Sequence, residues 1–202
     1  MPRRLSDPAV LAEQLAHLDD EHVAPLNALV ARLREQHAPR PVPAVAPLGA
    51  GTGARVLALV RAPAASSAGA GLLSLEDDDP GAERLHALVT GAGIDPALVL
   101  PWGAAPYPVP GEEPLSTPDV KAGRAALEGL VPLLPRLRSV VLHGKDAEAV
   151  WSAYAGANRS ALLGVRVEPW TFGTDDEALS KHRASRLRRL AATYASVADA
   201  LR

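Results

Sequence analysis

Arginine, carboxylate and histidine side chains at the ends of apolar runs are this chain's candidates for chemistry. Arg61 directly follows Val56–Val60, and a guanidinium at a strand end can grip a phosphate or a carboxylate. Its alternative partner within the chain is the acidic run Glu76-Asp77-Asp78-Asp79. That run could offer oxygen ligands to Mg²⁺ or Ca²⁺. Carboxylates just before a helix also satisfy its first amides and complement its dipole, and this second reading carries more weight. Six histidines are scattered without a His-x-x-x-His pair, and only His143 closes a predicted strand, where a structural role is the better reading. Ser66 and Ser67 sit in a small-residue loop with no partnered base, which argues against a serine hydrolase. Trp170 and Phe172 share a predicted loop in a chain with 3% aromatics, so they either wedge into a base stack or pack on the last helix. Lys181, His182, Arg183, Arg186, Arg188 and Arg189 make that helix locally basic; 182, 186 and 189 share a face, which either contacts phosphate or is simply solvated.

These residues need elements to position them. Val56–Val60 (VLALV) is a continuous apolar run that suits a strand buried on both faces. Ala97–Trp102, Ser139–His143 and Leu162–Val167 are the further strand candidates. Helices are expected between them. Asp79-Pro80 and Thr117-Pro118 each read as a cap followed by proline, Gly144 turns the chain into a third helix, and the last spans Asp175 to about Leu201. Upstream, Asp7-Pro8 opens a helix with an apolar face at Leu11, Leu15 and Leu18. Val23, Leu26, Leu29, Val30 and Leu33 form a second face, on a separate helix or past a kink at Pro25, ending near Gln36. Ala38–Gly53 is rich in Pro and Gly, yet its Val and Leu residues suggest an extended segment laid over the domain. Strands alternating with helices imply a parallel α/β sheet with covered faces.

Length and composition set the bounds. The chain has 202 residues, enough for one core, and 48% of them are apolar, mostly Ala, Val and Leu. One domain is expected over 1–202: a helical lead-in at 5–37, the extended segment at 38–53, and an α/β core at 54–202. A net charge of −2 gives no global basic field to attract nucleic acid, so any DNA contact must be local. The absence of cysteine excludes disulfides, thiolate catalysis and cysteine-ligated metals. No apolar stretch approaches a membrane span or a signal core, so a cytoplasmic monomer without metal or cofactor is the expectation.

Taken in order, HVAPLNALVARLRE (His22–Glu35), VPAVAP, GARVLALV, SLEDDDPGA, GID, LPWGAAPY, VPLLPRLRSVVLHGKDA and the final helix resemble the uracil-DNA glycosylase superfamily, in particular its actinobacterial glycosylase-like branch. The resemblance covers nearly everything from about residue 20 onward. It implies a three-layer α/β/α sandwich with a central four-stranded parallel sheet and a base pocket at the strand ends. It also implies pocket positions at Arg61, Ala64, Leu72, Asp77, Gly103, Tyr107, His143 and Glu168.

Several of these positions depart from the family pattern. The first motif, like E-A-P-G in the family, places the attacking water through an acid or amide; here it is Arg61-Ala62-Pro63-Ala64. The stacking aromatic falls near Leu72, and a family Asn aligns with Asp77, beside well-matched Ser74, Asp79, Pro80 and Ala82. W-N-x-x-P-W becomes Trp102-Gly103-Ala104-Ala105-Pro106-Tyr107, so the base-reading Asn is Gly. H-P-S becomes Glu168-Pro169-Trp170. Glycosidic cleavage builds negative charge on the departing base, which a glutamate repels, and a lost preorganised donor costs about 10²–10³ in rate. Arginine stays protonated and cannot act as a general base. The resemblance therefore implies a protein with lost or altered excision that retains DNA, nucleobase or nucleotide-like ligands. Trp170, Phe172, Lys181, Arg183 and Arg186 are then its DNA-contact candidates. Two alternatives are an active glycosylase or nucleoside-type hydrolase rebuilt on Glu168, Asp77 and Arg61, and a protein-interaction module.

Overall fold

In the computed structural model, residues 3–111, 113–158, 166–170 and 179–202 are described; 166–170 and 179–187 are described by their backbone. The organising strand is β2 (Val56–Val60), preceded in the chain by α1 (Pro8–Ala16), α2 (Ala24–His37) and β1 (Ala44–Val45). After β2 come α3 (Ala65–Ala70), β3 (Leu72–Leu73), α4 (Pro80–Gly91), β4 (Val99–Gly103) and α5 (Thr117–Leu130). The chain closes with β5 (Ser139–His143), α6 (Lys145–Ala157), β6 (Arg166–Trp170) and α7 (Leu179–Leu201). The strand order is β4-β2-β5-β6 with every pairing parallel, and β1 and β3 form a separate parallel pair.

The sequence of β2 explains its place. An unbroken apolar run has no polar face to give to water, and successive residues go to opposite sides. Leu57 and Leu59 join a cluster with Leu26, Leu127 and Val150 from α2, α5 and α6. Val56 and Ala58 join another with Leu85 and Val89 of α4 and Leu190, Tyr194 and Val197 of α7. With so few aromatic residues, close approach replaces bulk. At Gly123 of α5 a Cβ would collide with the Ala104 carbonyl and lie 3.0 Å from Val150, so the helix settles directly on the chain leaving β4.

Helix starts follow their caps. Asp7 accepts from the Ala9 N–H, and Asp79 accepts from the N–H groups of Gly81 and Ala82, both ahead of proline as expected. At α5 the cap is one residue earlier than Thr117: Ser116 forms a capping box with Asp119, and Thr117 and Pro118 lie inside the first turn. The face read at Leu11, Leu15 and Leu18 holds in part: Leu11 and Leu18 are half-buried and pack against the cluster of Leu5, Ala44, Ala46 and Leu72, while Leu15 is corrected to the surface at 42% exposed. The second face holds, with Leu26, Leu29, Val30 and Leu33 all buried on α2. Ala38–Gly53 does run extended in part, and its β1 pairs with β3, which falls in a stretch expected to be loop.

The last strand also differs from expectation. It is Arg166–Trp170, not Leu162–Val167; residues 162–165 lie outside the described residues. Pairing with β5 sets this register, Glu168 opposite Val141 and Trp170 opposite His143. Trp170 therefore ends a strand, and not a loop shared with Phe172, which lies outside the described residues. No helix among the described residues is long and apolar enough to cross a membrane.

Candidate functional site

The chain leaves β2 to build β4 on one side, then crosses to build β5 on the other. In open parallel sheets, this reversal opens a crevice at the carboxyl ends of the two strands where it occurs, here β2 and β5. Arg61 follows the last residue of β2, and Gly144, Lys145 and Asp146 follow the last residue of β5.

An ion pair spans this crevice. Arg61 Nε donates to Asp146 Oδ2 at 3.0 Å, Nη1 to the Val109 carbonyl at 2.9 Å, and Nη2 to the Glu113 carbonyl at 2.7 Å. The other oxygen of Asp146 accepts from the Leu115 N–H at 3.0 Å. Arg61 and Asp146 thus hold each other and the β4–α5 connection. The expected internal partner of Arg61, the acidic run at Glu76–Asp79, is corrected to Asp146, 85 positions along the chain.

The neighbouring positions leave little space. Ala104 and Ala105 donate to the carbonyls of Val60 and Arg61, extending the β2–β4 ladder past the strands. A Cβ on Gly103 would lie 2.6 Å from Pro63 Cδ, so glycine is required for this close approach. Tyr107 is buried; its hydroxyl donates to Asp119 at 2.9 Å, and the Arg40 guanidinium lies 4.4 Å from its ring centre. Burial raises the Asp119 carboxyl, but the bonds from Ser116, Tyr107 and Arg40 outweigh it and leave it below the usual carboxylate range. This cluster joins the α2–β1 connection to α5 and to the β4–α5 connection at Tyr107.

The other predicted positions separate. Ala64 is the residue preceding α3, and Leu72 is fully buried in β3 among Leu5, Ala44 and Ala46, so Leu72 offers no stacking surface. Asp77 is also buried; it accepts from Ser67 Oγ and from the Asp78 N–H, and desolvation raises its pKa. Asp79 caps α4, Arg3 and Arg4 pair with Asp78 and Glu76, and no three acidic or histidine groups among the described residues gather as a metal site. His143 lies 2.9 Å from the Tyr194 hydroxyl on the α7 side of the sheet, and burial lowers its pKa to about 4. It is neutral near pH 7 and turned away from Arg61. Glu168 and Trp170 are placed on β6, and Lys181, Arg183 and Arg186 on α7, by backbone alone.

Asp146 is the site residue that sequence reasoning missed. The GKDA turn after a predicted strand marks a helix start, but no local signal pairs its carboxylate with Arg61. Among the described residues, the buried Trp102 Nε1 and Ser139 Oγ have no hydrogen-bond partner. Trp102 is in register with Leu59, two residues before Arg61 and on the same face of the sheet.

The Arg61–Asp146 pair can hold an anionic group and tie the β4–α5 connection to the sheet. A guanidinium fully engaged by one carboxylate and two carbonyls neither abstracts a proton nor places a water. The chain matches no protein-family model, and a search of curated proteins finds no match.

Proposed function

We propose that the chain is a uracil-DNA glycosylase-like three-layer domain that has lost base excision and uses the β2–β5 crevice to bind a nucleotide-like ligand or DNA. The parallel order β4-β2-β5-β6, with its reversal at β2, is consistent with that architecture. The observation that carries the reading is the state of Arg61. Where excision would need a group that orients water, this chain has a permanent cation held by Asp146, Val109 and Glu113. Gly103, where an amide would read a pyrimidine edge, has neither a side chain nor room for one. Asp77 is buried against Ser67, which disfavours it as the water-placing carboxylate of a rebuilt site.

The test is a single-turnover excision assay on uracil-, hypoxanthine- and xanthine-containing single- and double-stranded DNA, with binding measured at low and high salt. No base release above background, with binding that weakens as salt rises, is the expected outcome. Base release that disappears in Glu168→Gln would instead make the protein a working glycosylase.

A further inference from the structure

The two sides of the β2–β5 crevice are joined by the Arg61–Asp146 pair, whose members also hold the connection that covers it. That connection is anchored by buried Tyr107 and Leu115, while Pro108 and Val109 are half-buried and Pro110, Gly111, Glu113 and Pro114 are exposed. Its prolines lack an N–H, and among the described residues no backbone–backbone hydrogen bond from another element reaches positions 106–114. The guanidinium bonds to the Val109 and Glu113 carbonyls therefore tie this stretch to the sheet.

Resting on the nucleotide-ligand reading above, we propose that Arg61 is a phosphate site masked by the chain's own Asp146. A phosphate-bearing ligand takes the carboxylate's place on the guanidinium and frees the connection held at Val109, Glu113 and Leu115.

The chemistry of the pair supports an exchange. Asp146 offers Nε an anionic oxygen at 3.0 Å; a phosphate offers the same kind of acceptor with charge near −2 and more oxygens for the two Nη groups now bound to carbonyls. The side chains of Arg61 and Asp146 are 27% and 18% exposed, so a ligand can reach the first and the second can turn out into water. Once displaced, Asp146 still occupies the first turn of α6, where negative charge is favoured.

A purely structural ion pair predicts that removing either partner acts in the same direction. A masked site predicts opposite signs. Binding of inorganic phosphate, thymidine 5′-monophosphate and an oligothymidylate should be measured on the full chain at constant ionic strength, with chloride as control. Asp146→Asn, which keeps an acceptor for Leu115 but loses the charge, should bind phosphate at least tenfold more tightly than the unaltered chain. Arg61→Met should lose binding. If Arg61→Met fails to fold by its thermal transition, Arg61→Lys keeps the charge without the forked geometry and should bind several-fold more weakly. Hydrogen exchange at the Leu115 amide, whose N–H is held by Asp146, should speed up when phosphate is added.

Tightest binding of the monophosphate identifies a free nucleotide; tightest binding of the oligothymidylate identifies a nucleic-acid backbone. Asp146→Asn binding no more tightly than the unaltered chain, or Arg61→Met retaining affinity, overturns the mask. Salt-sensitive DNA binding unchanged in both variants also overturns it and leaves the proposed function standing. Tightening by Asp146→Asn with no preference for nucleotide or DNA over inorganic phosphate upholds the mask and removes the nucleotide-ligand reading.

Discussion

His143 links a single side chain to the pH range over which the fold persists. Half-buried against Tyr194 and desolvated, it has its pKa lowered to about 4, whereas the unfolded chain takes up a proton near 6.5. Between those values the unfolded state holds more protons, so stability falls as pH drops from about 6.5 and the loss is complete near 4. The linkage amounts to about 3 kcal/mol. Urea unfolding from pH 7.5 to 4 should therefore show a smaller loss for His143→Gln than for the unaltered chain, and equal slopes would count against the desolvated neutral state. Earlier on the same face of β5, Ser139 has a different defect, a fully buried hydroxyl without a partner among the described residues. Because that group lost water without gaining a bond, Ser139→Ala should raise stability by about 1 kcal/mol in the same measurement.

At the scale of elements, two glycines with the same helix propensity should respond with opposite sign. Gly91 ends α4 with open space where a methyl group would stand, so Gly91→Ala should stabilise by about 0.5–1 kcal/mol. Gly123 lies inside α5, but its methyl group would strike the Ala104 carbonyl, and overpacking of this kind costs about 1–3 kcal/mol. Gly123→Ala should lower the thermal midpoint and loosen the β4–α5 connection. Elements were legible in the sequence where apolar pattern or capping chemistry was strong. The run Val56–Val60 coincides with β2, and Asp7 and Asp79 cap their helices as read. Small residues hid α3 and β3, because Ala, Ser and Gly carry no hydrophobic period and β3 exists through pairing with β1. The register of β6 also depends on a partner, β5, which local sequence does not specify. Arg61 was legible as a cation at a strand end; its partner was not, because only the crossover to β5 brings Asp146 to it.

For the molecule as a whole, the two faces of β2 depend on very different lengths of chain. The face holding Leu57 and Leu59 is covered by α2, α5 and α6, so its core has several independent contributors. The opposite face depends on α4 and on the last turns of α7, where Leu190, Tyr194, Val197 and Ala198 cover Val56, Ala58 and Val141. Arg55 also donates to the Leu201 carbonyl, tying the end of α7 to the start of the central strand. Burying a large apolar side chain contributes about 1.5–3 kcal/mol, so losing three of them is comparable to the whole stability of an ordinary domain, about 5–15 kcal/mol. A chain ending at Arg189 should therefore lose its cooperative urea transition and bind a hydrophobic dye such as ANS. Removing residues 1–16 should act differently, because among the described residues it takes away one buried side chain, Leu5, and the half-buried Val10 and Leu11 that pack on Ala44, Ala46 and Leu72. That shortened chain should keep a single transition at lower urea. If the two truncations proved equally damaging, the α7 face could not be the limiting half of the core; if only the carboxyl-terminal one abolishes folding, the crevice between β2 and β5 is held in shape from behind by α7.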